Sequence, residues 1–139
     1  MTLEPRVVVD ASALVAWACQ ERGAVTIDKI LPVAIAPSSV MVETLYRCLE
    51  KGHRMPLEEL HLTLLSLGLR VEPVIDEDTV RAAALIHQSR REGPPNNGRA
   101  LSLGDGLCLA VAERLQLPIT GGDEYWETLE LAVRYQPFR

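Results

Sequence analysis

Arg6-Val7-Val8-Val9-Asp10 is a β-branched run that stops at an acid, and Ala11-Ser12-Ala13-Leu14-Val15-Ala16-Trp17-Ala18 follows it without a break. An uninterrupted apolar run reads as a strand buried on both faces, the habit of parallel sheets. The stretch after it reads as a helix with Ser12 as its capping hydroxyl. Outward from this strand–helix unit the pattern repeats. Val25 to Leu31 reads as a short helix, Val33-Ala34-Ile35-Ala36 as a second strand closed by Pro37, and Ser38 or Ser39 as the cap of a helix reaching Lys51-Gly52. Pro56 opens a helix over Leu57 to Leu67, which Gly68 stops. Val71-Glu72-Pro73-Val74-Ile75 is a third strand, placed at a sheet edge by its proline. Asp76 or Asp78 caps a helix through about Arg91, and Gly93-Pro94-Pro95-Asn96-Asn97-Gly98 is a loop. Leu103 to Leu115 is a helix, Pro118-Ile119-Thr120 a strand, Asp123 to Leu131 a last helix and Val133 to Tyr135 a last strand.

Strands alternating with helices imply parallel pairing through right-handed crossovers, hence an α/β fold with a central parallel sheet of about five strands. The 139 residues suit a single domain over 1–139. In such sheets ligands bind outside the carboxyl ends of the strands. Hydrophobic residues make up 47% and charged residues 24%, a globular balance without repeats. Arg6 and Asp10 interrupt any signal-like apolar stretch, and no run is long enough for a membrane helix. Cys19, Cys48 and Cys108 lie far apart in apolar helical patterns, as expected of reduced core residues in a cytoplasmic protein, and His53, His61 and His87 are too scattered to make a zinc site. The net charge of −5 opposes a nonspecific nucleic-acid binder, whose footprint is basic.

Four acids stand where a sheet edge would gather them. Asp10 ends the first strand, where capping the next helix is a sufficient ordinary role. Glu43 sits in the helix after the second strand. The apolar stripe of that helix, Met41, Val42, Leu45, Cys48 and Leu49, puts Glu43 on the opposite, solvated face with Arg47 and Glu50. Asp105 lies in a helix apolar almost all round, where a carboxylate needs a partner, although Ser102-Leu103-Gly104-Asp105 also fits a capping box. Asp123 follows Ile119-Thr120-Gly121-Gly122 and would cap the helix after it. Converging carboxylates repel by about 3 kcal/mol per pair at ~5 Å and an effective dielectric near 20, a penalty a divalent cation removes.

Val8-Val9-Asp10-Ala11-Ser12-Ala13-Leu14, Glu43, the helix from Leu101 to Ala110 and Ile119-Thr120-Gly121-Gly122-Asp123-Glu124-Tyr125-Trp126 resemble, in order and spacing, the motifs of PIN domains. The likeness is to the stand-alone VapC-type toxins of toxin–antitoxin pairs, and it spans essentially the whole chain. It implies a PIN-like three-layer α/β/α fold and a metal-dependent endoribonuclease that hydrolyses RNA phosphodiester bonds with magnesium or manganese. In that reading Asp10 and Asp105 are the most direct ligands, Glu43 and Asp123 hold the ion's waters or a second ion, and Ser12 and Thr120 orient carboxylates by hydrogen bonds. Two residues depart from the family's pattern: Gly122 stands where alanine is common, and Glu124 where a small or basic residue is.

Four ionised carboxylates carry −4, so one divalent ion leaves −2 and two leave zero, and the metal supplies the positive charge that the composition lacks. Arg90, Arg91 and Arg99, around the Pro-Pro-Asn-Asn-Gly loop, are candidate RNA contacts, with Arg47, Lys51, His53 and Arg54 as a second basic cluster. The resemblance also implies a cognate VapB-type antitoxin, with an arginine suited to the acids, and a homodimer. The alternative of another class is a catalytically weak PIN-fold binding module retained for antitoxin or dimer contacts. A phosphoacceptor fold is disfavoured, because position 12 is serine where the phosphatases need an acid and no lysine follows Lys51.

Overall fold

A computed structural model describes residues 3–92 and 100–139. Five strands form one all-parallel sheet: β1 (Val7–Val9), β2 (Ala34–Pro37), β3 (Arg70–Glu72), β4 (Ile119–Gly121) and β5 (Tyr135–Pro137), in the order β3-β2-β1-β4-β5. The helices α1 (Ala11–Ala18), α2 (Ala24–Ile30), α3 (Ser38–Glu50), α4 (Leu57–Ser66), α5 (Glu77–Glu92) and α6 (Leu103–Leu115) flank it. The α/β architecture with a central five-stranded parallel sheet is the one the sequence pattern implies. Val8, Val9, Ile35 and Ile119 of the sheet, with Leu14 of α1 and Leu109 of α6, are sealed in the core.

Strand order decides where a ligand can sit. From β1 the chain moves outward through β2 to β3, then returns to lay β4 on the other side of β1. The connections leaving β1 and β4 therefore diverge, and a crevice opens between them at the carboxyl edge. Asp10 stands at the end of β1, and Gly122 and Asp123 follow β4.

Several local details differ from the sequence pattern. Asp10, not Ser12, caps α1, accepting the Ala13 N–H at 3.0 Å. Neither Ser38 nor Ser39 caps α3, which starts after Pro37; Ser38 Oγ instead accepts the Val74 N–H at 3.2 Å. The third strand is shorter than Val71 to Ile75, although it does lie at the edge. The last helix is only a 3-10 turn over Glu124–Thr128, and the final strand moves from Val133–Tyr135 to Tyr135–Pro137. Tertiary hydrogen bonds override helix propensity there. Tyr135 Oη donates to the Asp123 carbonyl at 2.9 Å, and the Ala132 N–H goes to Glu113 at 2.7 Å instead of to an upstream carbonyl.

Candidate functional site

Asp10, Glu43, Asp105 and Asp123 line a single cleft of about 510 Å³ at the β1/β4 crevice. They come from four separate segments, and each arrives by its own local device.

Asp10 is buried, 6% exposed, although it caps a helix. Ser12 Oγ lies 2.7 Å from Asp10 Oδ1 and 2.9 Å from Oδ2, while accepting the Gly122 N–H at 2.9 Å. Because the backbone N–H fills an acceptor site on the hydroxyl, the Ser12 proton is directed to the carboxylate. The β4 turn thus fixes Asp10 through Ser12. Burial pushes the Asp10 carboxyl up, the Ser12 and Ala13 hydrogen bonds oppose this, and the charges of Asp105 and Glu43 add to it; the balance stands at about 6. A Cβ at Gly121 would lie 2.8 Å from Asp10 Oδ2, so only glycine leaves the carboxylate its place.

Asp105 enters through the capping box that its sequence context allows. Ser102 Oγ accepts the Asp105 N–H at 3.1 Å, and Asp105 Oδ2 accepts the Ser102 N–H at 2.9 Å. The capping role and the site role are compatible, because the first turn of α6 lies at the cleft and the positive end of a helix favours an acid. Burial raises the Asp105 carboxyl, the Ser102 hydrogen bonds oppose it, and the charges of Glu43 and Asp123 raise it further.

Glu43 corrects the helical-phase expectation. The buried face of α3 centres on Val40, Met41, Thr44 and Cys48, while Val42 and Leu49 are 64% and 55% exposed. The helix is therefore turned relative to its apolar stripe, and Glu43 comes to the flank that faces the cleft. Its Oε2 pairs with Arg47 Nη1 at 3.1 Å. A Cβ at Gly104 would lie 2.6 Å from Glu43 Oε1, so a glycine of α6 admits this acid much as Gly121 admits Asp10. Asp123 is exposed at the cleft's rim, with Oδ1 accepting the Tyr125 N–H at 2.9 Å. Trp126 closes the cleft wall; its buried Nε1–H has no hydrogen-bond partner among the described residues.

Residues 7–129 match the PIN domain family. The chain belongs to it. No curated protein matches the sequence significantly. Solved structures share the fold at low identity. VapC20 of Mycobacterium tuberculosis, described as a sarcin–ricin loop cleaving toxin, superposes with a TM-score of 0.68 at 17% identity, over 92% of this chain and 98% of that one. A chain of the promoter-DNA-bound VapBC2 complex of Rickettsia felis gives 0.67 at 12% identity, over 94% and 97%. A chain of the DNA-bound VapBC complex of Salmonella typhimurium gives 0.64 at 11% identity, over 97% and 99%.

As a place for a metal, the PIN cleft offers an all-oxygen donor set without a ready-made cage. Among the described residues no three His, Cys, Asp or Glu side chains are drawn close enough to grip an ion by themselves. The oxygen chemistry of the four acids would suit magnesium, which takes one or two carboxylates directly and keeps its waters. Cys108 lines the cleft as well, but burial, followed by the charges of Asp10, Asp105 and Glu43, holds its thiol far above the ordinary range. Such a thiol stays protonated in the metal-free protein.

The other candidates divide. Thr120 is buried in β4 and meets Asp10 only through the backbone, its carbonyl accepting the Asp10 N–H at 3.2 Å; among the described residues its hydroxyl makes no hydrogen bond to the acids. Arg90 and Arg91 are exposed at the end of α5 and face clefts other than the acidic one. Arg99 lies outside the described residues. The second basic cluster splits, with Arg47 in the acidic cleft and Lys51, His53 and Arg54 lining a different one. Sequence reasoning missed Arg139, which lines the acidic cleft. No motif announces it, and only the parallel register of β5 beside β4 brings it there.

Proposed function

We propose that this PIN domain is a divalent-metal-dependent endoribonuclease, the toxin of a VapBC-type toxin–antitoxin pair. The observation that carries the reading is the convergence of Asp10, Glu43, Asp105 and Asp123 on one cleft at the strand-order reversal, with Asp10 buried. Among the described residues, Asp10 and Asp105 receive hydrogen bonds from neutral donors only. Buried Asp10 is raised by desolvation and by the charges of Asp105 and Glu43, and half-buried Asp105 by desolvation and by those of Glu43 and Asp123; such carboxylates are costly to keep, and a cation would relieve them. VapC20 among the structural neighbours is described as cleaving the sarcin–ricin loop, which supports RNA as the substrate class.

In this mechanism Asp10 and Asp105 would hold a magnesium or manganese ion, with Glu43 and Asp123 placed to orient water around it. When bound, such an ion polarises a phosphoryl oxygen and eases deprotonation of the attacking water. The chain's own residues set the stage. Ser12 fixes the Asp10 plane, the capping box fixes Asp105, and Arg47 restrains Glu43 while reducing the negative charge that meets the RNA backbone. The test is cleavage of cellular RNA by the purified protein with magnesium, with the new ends sequenced. Cleavage that stops with chelator and in Asp10→Asn supports the reading, and undiminished cleavage by Asp10→Asn overturns it.

An antitoxin partner belongs to the same reading, because neighbours from Klebsiella pneumoniae and Mycobacterium tuberculosis are described as toxin–antitoxin complexes or systems, and self-association belongs to it through the family resemblance. Val42, Tyr46 and Leu49 of α3 and Leu62 and Leu65 of α4 are exposed, an apolar surface available for either contact. Size measurement of the chain alone and with its co-expressed neighbour distinguishes the two uses.

A further inference from the structure

The structure assigns Arg139 to the substrate: we infer that its guanidinium grips a backbone phosphate next to the one that is cut, and that position 122 is glycine to make room for it. This rests on the nuclease reading above and adds a substrate contact to it.

Three observations carry the inference. The first is delivery. β5 runs parallel to β4 with Gly121 opposite Pro137, so the residues after each strand emerge side by side at the carboxyl edge. The Phe138 N–H donates to the Gly121 carbonyl at 3.3 Å and the Phe138 ring is buried, which anchors the backbone one residue before Arg139. The second is accommodation. A Cβ at Gly122 would stand 2.9 Å from Arg139 Nη2 and 3.1 Å from Nε, closer than side-chain carbons normally come. An alanine there would displace the guanidinium, so the departure at position 122 and the arginine at 139 explain each other. The third is availability. Among the described residues, the cleft's other arginine, Arg47, is bound to Glu43 at 3.1 Å. The ion pair of Arg139 among the described residues is a loose 4.0 Å contact to Glu21, which Lys51 also engages, and it involves none of the four site acids.

A guanidinium presents a planar fork of N–H donors that matches two phosphate oxygens, and its charge does not titrate away. Placed over Gly122 on the β4–β5 side of the cleft, it is set to meet a neighbouring phosphate rather than the reacting group. Its contribution therefore appears in substrate binding, not in turnover. It also adds, beside the acids, positive charge that is not already paired to one of them.

The experiment is steady-state cleavage of a labelled single-stranded RNA oligonucleotide carrying the wild-type cut site, with magnesium, over a series of salt concentrations. Arg139→Gln is expected to raise KM about tenfold with kcat within about threefold, as befits one charge-assisted phosphate contact. The dependence of log kcat/KM on log salt should become shallower by about 0.7, the increment for one phosphate contact on a single strand. Arg139→Lys should recover part of the loss. Gly122→Ala should reproduce part of the KM increase in the wild-type background and add little to KM in Arg139→Gln, whereas its Cβ, also 3.2 Å from Ser12 Oγ, would act on kcat through Asp10. Fluorescence anisotropy of the same RNA on an Asp10→Asn background gives affinity without turnover and should show the same weakening. An unchanged KM and salt slope in Arg139→Gln, or fully additive KM increases in the double variant, overturns the assignment. A gain in kcat/KM overturns it as well, since it would mark Arg139 as a counter-charge held against the acids. Failure of the wild-type protein to cleave any RNA sinks the nuclease reading, and this proposal with it, before a variant is compared.

Discussion

Helix α6 joins two groups of acids that the fold treats in opposite ways. At its C-terminal end, Arg114 reaches Asp78 through Nε at 2.9 Å and Nη2 at 3.3 Å, Glu72 at 3.0 Å and the Pro73 carbonyl at 3.1 Å. Arg81 forks onto Glu113 at 2.6 and 3.1 Å. Burial pushes the Asp78 carboxyl up, but the Arg114 hydrogen bond, the Ile75 N–H and the Arg114 charge outweigh it and hold the group below its ordinary range. Glu113 follows the same pattern, burial being outweighed by Arg81 and the Ala132 N–H. At the N-terminal end the balance reverses, with Asp10 and Asp105 pushed up. Asp78 and Asp10 both show little surface, at 2% and 6% exposure, but Asp10 lies deeper in the protein, and Asp78, nearer the outside, has a guanidinium against it. Depth and a guanidinium together separate them. One end of the helix is completed by the chain's own cations, and the other, on the proposed function, would take a cation from outside.

The largest effect should come from removing the charge on which the open end depends. Asp10→Asn is expected to lower metal-dependent RNA cleavage by more than about 100-fold, beyond the usual cost of losing a residue that only supports a ligand. The counterpart at the closed end is Arg114→Met. It leaves Asp78 buried without its cation and should cost about 3 kcal/mol in a urea titration, with cleavage by the folded protein unchanged. If instead Arg114→Met silences the enzyme while it is still folded, the two ends are coupled and the contrast fails.

The contrast also has a pH signature. The Asp10 carboxyl stands at about 6 in the folded chain and near 3.9 when unfolded, so the folded state binds this proton more tightly. Stability from this group therefore falls as pH rises from about 4 to 6, and the full cost, roughly 3 kcal/mol, persists above that. Asp78 and Glu113, held low, contribute stability that is present above their unfolded values and lost as pH falls through their folded ones. Metal-free protein should thus melt at a higher temperature at pH 5 than at pH 7.5, with magnesium closing the gap and Asp10→Asn removing most of it. A metal-free melting temperature that rises steadily from pH 5 to 7.5 would contradict the assignment of Asp10 as the costly group.

The strands and helices were largely legible because apolar runs and their punctuation are local. Asp10 and Asp105 could be chosen from sequence for the same reason, being acids at element ends or in apolar surroundings. Glu43 could not be placed by phase, because the packing of α3 leaves Val42 and Leu49 outside and buries Thr44, and a hydropathy stripe carries no record of such a choice. The region after Asp123 read as a helix because its side chains suit one, whereas its backbone bonds go to Tyr135 and Glu113. Arg139 was illegible for a different reason. Its position follows from the β4–β5 register, a contact between segments that no single stretch encodes.

The smallest expected effect tests the glycines that give the acids their places. Gly104 lies in the first turn of α6, where alanine should be neutral or stabilising by up to about 1 kcal/mol on propensity alone. The new Cβ would meet Glu43 Oε1 at 2.6 Å, and because that atom ends a flexible side chain, Glu43 can swing away at little cost to the fold. Gly104→Ala should therefore keep or raise the melting temperature while lowering cleavage several-fold, with the loss absent in a Glu43→Gln background that has already given up the charge. A residue that merely packed would lose stability and activity together. A rise in one with a fall in the other identifies space reserved for a carboxylate, which the closed end of α6, with its acids already held by arginines, has no need to keep.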